Sequence, residues 1–326
     1  MSGMNRGDFL RGLACGGGAL MATKALPVVA ADDPSAFPGR GQFERLTVSM
    51  VRVHAGATRP FSLLHASDTH LTCAYPHEPH ERREFARLRT RGFGGRQEEA
   101  LRDTLEYARL HADYLVHTGD LIDFQSEQNL ELVKMYFGGS PKSQVAMGNH
   151  EYSDGLGYHA TPRTEAFKDT SRKTLTAAYP QPIDFAAQTV NGVNFITLDD
   201  VYGSVTAAQV EKFAAEVRKG LPIILCMHVP FHTEQSWMLT KLYWTNGRTR
   251  YAGEQPGEGE PGSDRHNQLH DPVTRDFIAS LKKEPLLKAL LVGHEHFFLQ
   301  EQFSPTAVQI FAAGNYLHAA NLIAID

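Results

Sequence analysis

Carboxylate, imidazole and amide side chains directly follow five short apolar segments of this sequence. They are Asp68 and His70, Asp120, Asn149 and His150, His228, and His294 and His296. In open α/β sheets, functional side chains gather outside the carboxyl ends of the strands, so all of these segments can contribute to one site. Imidazole, carboxylate and amide ligands without a thiolate suit Mn, Fe or Zn, whereas Ca and Mg prefer oxygen ligands alone. The sequence therefore predicts a metal centre.

The spacing within two of these sets favours a shared target. Asp68 and His70 are separated by one residue, and so are His294 and His296. In an extended backbone, residues i and i+2 point to the same side, so each pair is expected to aim both side chains at one place. Two metal ions about 3.5–4 Å apart need a carboxylate between them, and Asp120 is the natural bridge.

Five motifs, in this order, resemble the complete signature of the calcineurin-like metallophosphoesterases. They are Asp68-x-His70, Gly119-Asp120-x-x-Asp123, Gly148-Asn149-His150-Glu151, His228 after an apolar strand, and Gly293-His294-x-His296. The resemblance covers roughly residues 61–326. Purple acid phosphatases share several of these motifs but carry Tyr in place of Asp123 and Gly in place of His70, so the chain does not resemble that branch. The resemblance implies an α/β fold, a four-layer α/β/β/α sandwich with a dimetal site at its rim.

The resemblance also implies a role for each motif residue. One metal ion would be held by Asp68, His70, Asp120 and His296, and the other by Asp120, Asn149, His228 and His294. A hydroxide bridging the two ions would attack the phosphorus atom. His150 would stay off the metals and protonate the leaving group as general acid, while Asp123 would accept a hydrogen bond from His150 and fix its tautomer.

The implied function is hydrolysis of a phosphomonoester or a phosphodiester, with a small-molecule phosphoester as the expected partner. A non-catalytic metal-binding or partner-binding domain on the same fold is the alternative. The formal net charge of -5 argues against a general nucleic-acid or anionic-membrane binder, which would be basic. No apolar run beyond the N-terminal segment is long enough to span a bilayer. The sequence leaves the oligomeric state open.

Residues 1–31 are expected to be a targeting segment. A basic start and a Gly/Ala-rich middle lead to the small residues Val29-Ala30-Ala31, a pattern typical of a secretory signal. The run Arg6-x-x-Phe9-Leu10-Arg11 resembles a twin-arginine signal, although Gly7 stands where the second arginine would be. This segment predicts a periplasmic or secreted protein; a disordered or helical N-terminal tail is the alternative.

Strands alternating with helices predict a single α/β domain over residues 32–326. Its first part, residues 32–42, is Pro/Gly-rich and is expected to be a linker. The best-defined element is a helix at 207–219, where Thr206 and Gln209 form a capping box. Insertions are expected at about 71–95 and 232–270. Cys73 and Cys226 could form one disulfide or remain two free thiols.

Several residues around the motifs have two interpretations each. The stretch 71–95 looks irregular, and its arginines, interleaved with glutamates, favour a solvated helical face over a grip on an anionic substrate. Glu151 is expected to support its loop, and Asp199 and Asp200 to cap or form a turn. The aromatic residues of the second insertion could stack a base, line a lipid pocket or simply pack; they are Trp237, Tyr243 and Trp244. Among the histidines outside the motifs, His232 is the one that could lie near the substrate.

Overall fold

The computed structural model describes residues 46–139, 142–156, 164–245 and 264–326. The predicted targeting segment 1–31 and the predicted linker 32–42 lie outside the described residues, as does the middle of the second insertion. The described residues all belong to one compact unit, Gly41–Asp326.

The first sheet has five strands in the order β1-β11-β2-β3-β4. Its strands are β1 Thr47–Val53, β2 Phe61–Ala66, β3 Tyr114–Thr118, β4 Ser143–Ala146 and β11 Ala319–Ile325. The pairs β2–β3 and β3–β4 are parallel, while β11 runs antiparallel to β2. The carboxyl ends of β2, β3 and β4 therefore meet at one edge of this sheet.

The second sheet has six strands in the order β5-β6-β7-β8-β10-β9. Its strands are β5 Phe185–Val190, β6 Val193–Leu198, β7 Ile223–Cys226, β8 Leu287–Val292, β9 Leu299–Gln302 and β10 Val308–Phe311. The strands β6, β7, β8 and β10 run parallel. This arrangement brings the carboxyl ends of β7 and β8 to one edge.

Eight α-helices are assigned among the described residues. They are α1 His80–Phe93, α2 Gln97–His111, α3 Glu127–Phe137, α4 Glu165–Leu175, α5 Ala207–Val217, α6 Glu234–Thr245, α7 Asp264–His270 and α8 Pro272–Leu281. Helix α5 begins with the predicted capping box between Thr206 and Gln209. A short 3-10 helix spans Asn315–Leu317.

Alternating side chains join these elements into four layers. In β2, Leu63 belongs to the core between the two sheets, while the next residue, Leu64, packs in the core beneath α2 and α3. In β7, Ile224 faces the first sheet and Leu225 packs in the core with α5 and α8. This period of two is what a strand buried on both faces requires. The predicted α/β/β/α sandwich is confirmed.

One expectation about the elements needs correction. The stretch 71–95 is not irregular throughout, because α1 occupies most of it. Cys73 and Cys226 are both free thiols. No helix within the described part of the chain is long and apolar enough to cross a membrane.

Candidate metal centre

The predicted ligands all lie on loops that follow the carboxyl ends of parallel strands. Asp68 and His70 follow β2, Asp120 follows β3, Asn149 follows β4, His228 follows β7, and His294 and His296 follow β8. The first three strands belong to one sheet and the last two to the other. The site is therefore assembled where the corresponding edges of the two sheets meet, as expected for a functional site of an α/β fold.

The backbone of these loops is left-handed, not extended. Positive φ angles occur at Asp68 (57°), His70 (53°), Asp120 (52°), His294 (71°) and His296 (60°). Such angles cost non-glycine residues about 1–3 kcal/mol each and persist only where the surroundings enforce them. The amides of Asp68 and His70 donate to the carbonyl oxygens of Gly119 and Asp120, which ties the two loops together. The expectation of an extended backbone at the paired ligands was wrong.

A first cluster contains the four residues expected at one metal. His296 Nε2 lies 3.2 Å from Asp68 Oδ1 and 3.2 Å from His70 Nε2. Asp120 Oδ2 lies 3.7 Å from His70 Nε2. The four ligand atoms all lie within 4.8 Å of one another, a spacing that a single cation can span.

A second cluster lies on the other side of Asp120. Asn149 Oδ1 is 3.1 Å from His228 Nε2 and 3.0 Å from His294 Nδ1. His228 Nε2 is also 3.3 Å from Asp120 Oδ2, so this carboxylate oxygen borders both clusters. The expectation that His294 and His296 aim at one place was wrong, because one joins each cluster.

The electrostatics of the site favour cation binding. Burial alone would raise the pKa of Asp120, but the neighbouring His228 and His150 imidazoles hold it well below its ordinary value. Burial lowers the pKa of His228, yet the Asp120 and Asp68 carboxylates outweigh it and raise the pKa to about 10. The buried carboxylates thus retain a proton on His228 as a compensating positive charge. Metal ligands must be deprotonated, so a bound cation would replace that proton. The donor set and its charge fit divalent metal ions.

His150 lies beside the clusters and is held by Asp123. His150 Nδ1 is 3.0 Å from Asp123 Oδ1 and 3.1 Å from the Asp123 carbonyl oxygen, so the predicted contact is present. Asp123 Oδ1 is also 3.0 Å from His70 Nδ1, which the sequence did not indicate. One fully buried carboxylate therefore orients a predicted metal ligand and the predicted general acid together.

Comparison with known proteins agrees with this geometry. Residues 61–298 match the family model described as calcineurin-like phosphoesterase. The chain belongs to the calcineurin-like phosphoesterases. The resemblance found in the five motifs is thereby confirmed at the level of the family. A search of the curated proteins gave no match.

Several solved structures are similar to this chain at low sequence identity. A dimetal phosphatase from Danio rerio is 14% identical and aligns over 78% of this chain and 88% of its own, with a TM-score of 0.43. The calcineurin-like phosphoesterase YfkN from Bacillus subtilis is 11% identical over 79% of this chain and 82% of its own, with a TM-score of 0.37. A 5'-nucleotidase from Candida albicans is 12% identical over 84% of this chain, with a TM-score of 0.37. The match spans only 47% of that nucleotidase.

Glu151 connects two of the loops that carry the predicted ligands. Its Oε2 accepts the amide protons of Asp120 (2.9 Å) and Gly148 (2.8 Å). Its Oε1 accepts the Leu121 amide at 2.8 Å and the Tyr179 hydroxyl at 2.9 Å. The buried carboxylate thus joins the loop after β3 to the loop after β4, which is the supporting role expected from the sequence.

Asp200 follows strand β6 and supports the loop that carries His228. Its Oδ1 accepts the backbone amides of His228 at 3.1 Å and Val229 at 3.2 Å. The expected turn or capping role is therefore right in kind, but the capped backbone belongs to the loop after β7. Sequence reasoning did not identify this link because the partners lie 28 residues apart.

Two aromatic residues of the second insertion, Tyr243 and Trp244, lie beside the loop after β8. The Trp244 ring centroid lies 5.2 Å from that of His296, and its Nε1 donates to Glu295 Oε2 at 3.1 Å. The Tyr243 ring lies 5.3 Å from Phe297. His232 and Trp237 line a small cavity beside His294. Trp244 thus both packs and hydrogen-bonds at this loop.

The Gly148 position is expected to tolerate no side chain. A Cβ there would overlap the Asp120 carboxylate and backbone amide. We therefore expect Gly148→Ala to lower metal affinity by about 10- to 100-fold, measured by chelator competition. The control is Gly92→Ala in α1, where an added Cβ meets nothing within 4 Å. Equal metal affinity in both variants would contradict this prediction.

Asp199 forms a buried ion-pair network outside the metal centre. Its Oδ1 lies 3.2 Å from Lys168 Nζ, and its Oδ2 accepts the Tyr152 hydroxyl at 2.7 Å and Arg172 Nη2 at 3.1 Å. Burial raises the pKa of Asp199, but Lys168, Tyr152 and Arg172 together lower it below 3.8. The network therefore stabilises the fold fully above that pH, and the contribution is lost as the pH falls through the lower folded-state pKa.

Asp199→Asn is expected to lower the free energy of unfolding at pH 7 by about 3–5 kcal/mol, because it leaves the buried Lys168 ammonium with the exposed Glu165 carboxylate, 3.6 Å away, in place of a buried one. Urea denaturation followed by circular dichroism measures the change. Asp169→Asn is the matched control, since that carboxylate pairs with Arg172 but is 70% exposed. Adding Lys168→Met to Asp199→Asn should recover part of the loss. Equal stability of Asp199→Asn and Asp169→Asn at pH 7 would refute the prediction.

Proposed function

We propose that this chain hydrolyses a phosphomonoester or a phosphodiester at a dimetal centre. The observation that carries the proposal is the pair of ligand clusters that share Asp120 Oδ2, with the His150 imidazole beside them. His150 Nε2 lies 4.0 Å from that same oxygen. A proton donor next to ligands for two cations is an arrangement that supports phosphoester hydrolysis.

The residues are proposed to divide between two metal ions. One ion would be held by Asp68, His70, Asp120 and His296, and the other by Asp120, Asn149, His228 and His294. The imidazole-rich donor set suits Mn, Fe or Zn. When bound, such ions supply an activated water and offset the charge that develops on the phosphoryl oxygens.

The proton chemistry is proposed for His150 and Asp123. With Nδ1 donating to Asp123 Oδ1 at 3.0 Å, the imidazole presents Nε2 toward the Asp120 carboxylate that borders both clusters. In its protonated form, Nε2 can donate to a departing alkoxide. Asp123 holds the ring orientation and stabilises the charged imidazolium.

A paired assay of Mn-loaded protein tests this proposal. p-Nitrophenyl phosphate and bis(p-nitrophenyl) phosphate report monoesterase and diesterase activity. Turnover that disappears with chelator and returns with Mn supports the proposal. Metal-loaded protein without turnover on either ester or on a broad phosphoester panel would overturn it. That result would favour a non-catalytic metal-binding or partner-binding domain.

We also propose that the chain is exported to the periplasm or secreted. The support is the sequence of residues 1–31, with its basic start, Gly/Ala-rich middle and small residues before Asp32. Cell fractionation of a bacterial host should find the full-length chain outside the cytoplasm and the chain lacking residues 1–31 inside it. Cytoplasmic retention of both would refute export.

A further inference from the structure

Helix α1 brings a guanidinium group to the carboxylate that links the two halves of the site. Arg89 Nε donates to Asp123 Oδ2 at 2.6 Å, and Arg89 Nη2 donates to Asp123 Oδ1 at 2.6 Å. The Asp123 side chain is fully buried, and that of Arg89 is 21% exposed. A bidentate pair of this kind fixes the plane of a carboxylate, which a single hydrogen bond does not.

The same helix supports the His70 ring from the side. The Phe93 ring stacks on the His70 imidazole at 4.4 Å with an interplanar angle of 17°. The Arg89 guanidinium lies 4.6 Å from the centre of the Phe93 ring. Arg89, Phe93 and His70 therefore form a continuous stack, and Asp123 contacts both of its ends.

Asp123 connects this stack to the predicted metal ligand His70 and to the predicted proton donor His150. Its Oδ1 lies 3.0 Å from Nδ1 of both His70 and His150. Among the residues described, the ion-pair partners of Asp123 are these two histidines and Arg89. A terminal carboxylate torsion is broad, so the carboxylate plane must be held by its partners. Arg89 is the partner that engages both oxygens.

Helix α1 is itself fixed in place. Thr90 Oγ1 lies 2.6 Å from Thr72 Oγ1, two residues after His70. Arg82 Nε donates to the Asp154 carbonyl oxygen at 3.1 Å, in the loop that follows His150. Both contacts join α1 to the loops that carry the two histidines. Arg89 therefore stands on a rigid element, as a group that orients others must.

We propose that Arg89 is a positioning residue of the metal centre and that it acts through Asp123. By holding the carboxylate plane, it keeps Nδ1–H of His70 and of His150 directed at Asp123 Oδ1. His70 Nε2 then serves as the ligand atom, and His150 Nε2 as the proton donor. The role in metal binding stands independently of catalysis, whereas the role at His150 rests on the proposed function.

The competing interpretation is that Arg89 grips the substrate phosphate. Its two contacts with Asp123 already use Nε and Nη2, and the side chain is mostly buried. A substrate-binding arginine would change KM and leave metal affinity as it is. A positioning arginine changes metal affinity in the absence of substrate, so the two roles give different measurements.

The first experiment compares metal affinities by competition with a chromophoric chelator, using Mn and Zn. Arg89→Gln is expected to bind metal about 10- to 100-fold more weakly, the usual effect of removing an outer hydrogen-bond partner of a metal site. Arg87→Gln is the matched control, because Arg87 lies on the same helix and pairs with exposed Glu84. Asp123→Asn and the double variant Arg89→Gln/Asp123→Asn complete a cycle. If Arg89 acts through Asp123, the double variant binds metal no more weakly than Asp123→Asn.

The second experiment tests positioning directly. Long-range ¹H–¹⁵N spectra of metal-free protein, labelled at histidine, should show the Nδ1–H tautomer at His70 in the wild type. Arg89→Ala should show mixed tautomers, and added guanidinium should restore both the tautomer and the metal affinity. Arg89→Lys, which retains a cation without the fork, should lie between the wild type and Arg89→Ala.

Wild-type metal affinity and tautomer in Arg89→Gln would overturn the inference, as would additive losses in the cycle. If all the Arg89 substitutions except lysine prevent folding, a wild-type His70 tautomer in Arg89→Lys would overturn it as well. If the proposed function is wrong, the experiments give a different result. In that case wild-type protein turns over no phosphoester, while the effects of Arg89 on metal affinity and on the His70 tautomer remain.

Discussion

Asp120→Asn is expected to reduce kcat/KM for phosphoester hydrolysis by about a thousandfold or more, since it removes the charge that both ligand clusters share. Asp120 Oδ2 lies 3.3 Å from His228 Nε2 and 3.7 Å from His70 Nε2, one imidazole from each cluster. Asparagine keeps the shape but presents a neutral oxygen or an amide nitrogen there. A bridge between two cations needs a negative charge to offset their repulsion. Steady-state kinetics with saturating Mn measures the loss.

The metal content of the same variant separates this explanation from a general folding defect. Asp120→Asn should retain fewer equivalents of metal after gel filtration than the wild type, with an unchanged circular dichroism spectrum. Asp276→Asn is the control, because its carboxylate is 72% exposed and pairs with Arg275 on α8. An Asp120→Asn protein with wild-type metal content and activity would show that the clusters do not act as one centre.

The layers of the fold could be predicted because their signals are local. Four of the strands are short apolar runs: β2, β3, β7 and β8. Alternate residues of each of these strands belong to two different hydrophobic cores. Helix α5 has an apolar stripe and a capping box within one segment. Such signals depend on neighbours a few residues away, which a single sequence displays directly.

Only the interleaved charges of 71–95 favoured a helical face there, and the bounds and role of helix α1 could not be predicted in the same way. It buries only Ala86 among its 14 residues, so it carries no apolar stripe from which a period of 3.6 could be recognised. Its contribution is made instead by Arg89, which meets Asp123 at a separation of 34 residues. Charged residues on a polar helix are usually solvated, and nothing in the sequence distinguishes Arg89 from Arg87. Only the tertiary contact makes that distinction.

For the ligand loops, too, the sequence predicted the residue types but not the backbone geometry. Residue types at strand ends were sufficient to predict which side chains come together. They did not predict that Asp68, His70, Asp120, His294 and His296 adopt left-handed backbone angles. That conformation depends on hydrogen bonds between loops, such as the His294 amide to the Asp68 carboxylate across 226 residues. Loop strain is set by the assembled site and cannot be read from the spacing of its ligands.

His150→Asn is expected to slow hydrolysis of an alkyl phosphate by about a thousandfold, within the range of general acid catalysis, and p-nitrophenyl phosphate by much less. An alkoxide leaves only with a proton, whereas p-nitrophenolate is stable enough to leave without one. His150 is buried, its Nδ1 is held 3.0 Å from Asp123 Oδ1, and its Nε2 lies 4.0 Å from Asp120 Oδ2, beside both ligand clusters. The measurement is kcat across a series of leaving groups of increasing pKa at saturating Mn. The slope of log kcat against that pKa should be steeper for His150→Asn than for the wild type.

The slope identifies the role of His150 more sharply than the loss of rate does. If His150 were instead a metal ligand, His150→Asn would lower metal content and slow all leaving groups by the same factor. If it bound the substrate phosphate, KM would rise and the slope would stay unchanged. His111→Asn on α2 is a control, because that imidazole is exposed at the far end of β3 from the site. An unchanged slope with full metal content would therefore remove the general acid from the proposed reaction while leaving the dimetal centre in place, because Asp120, and not His150, borders both ligand clusters.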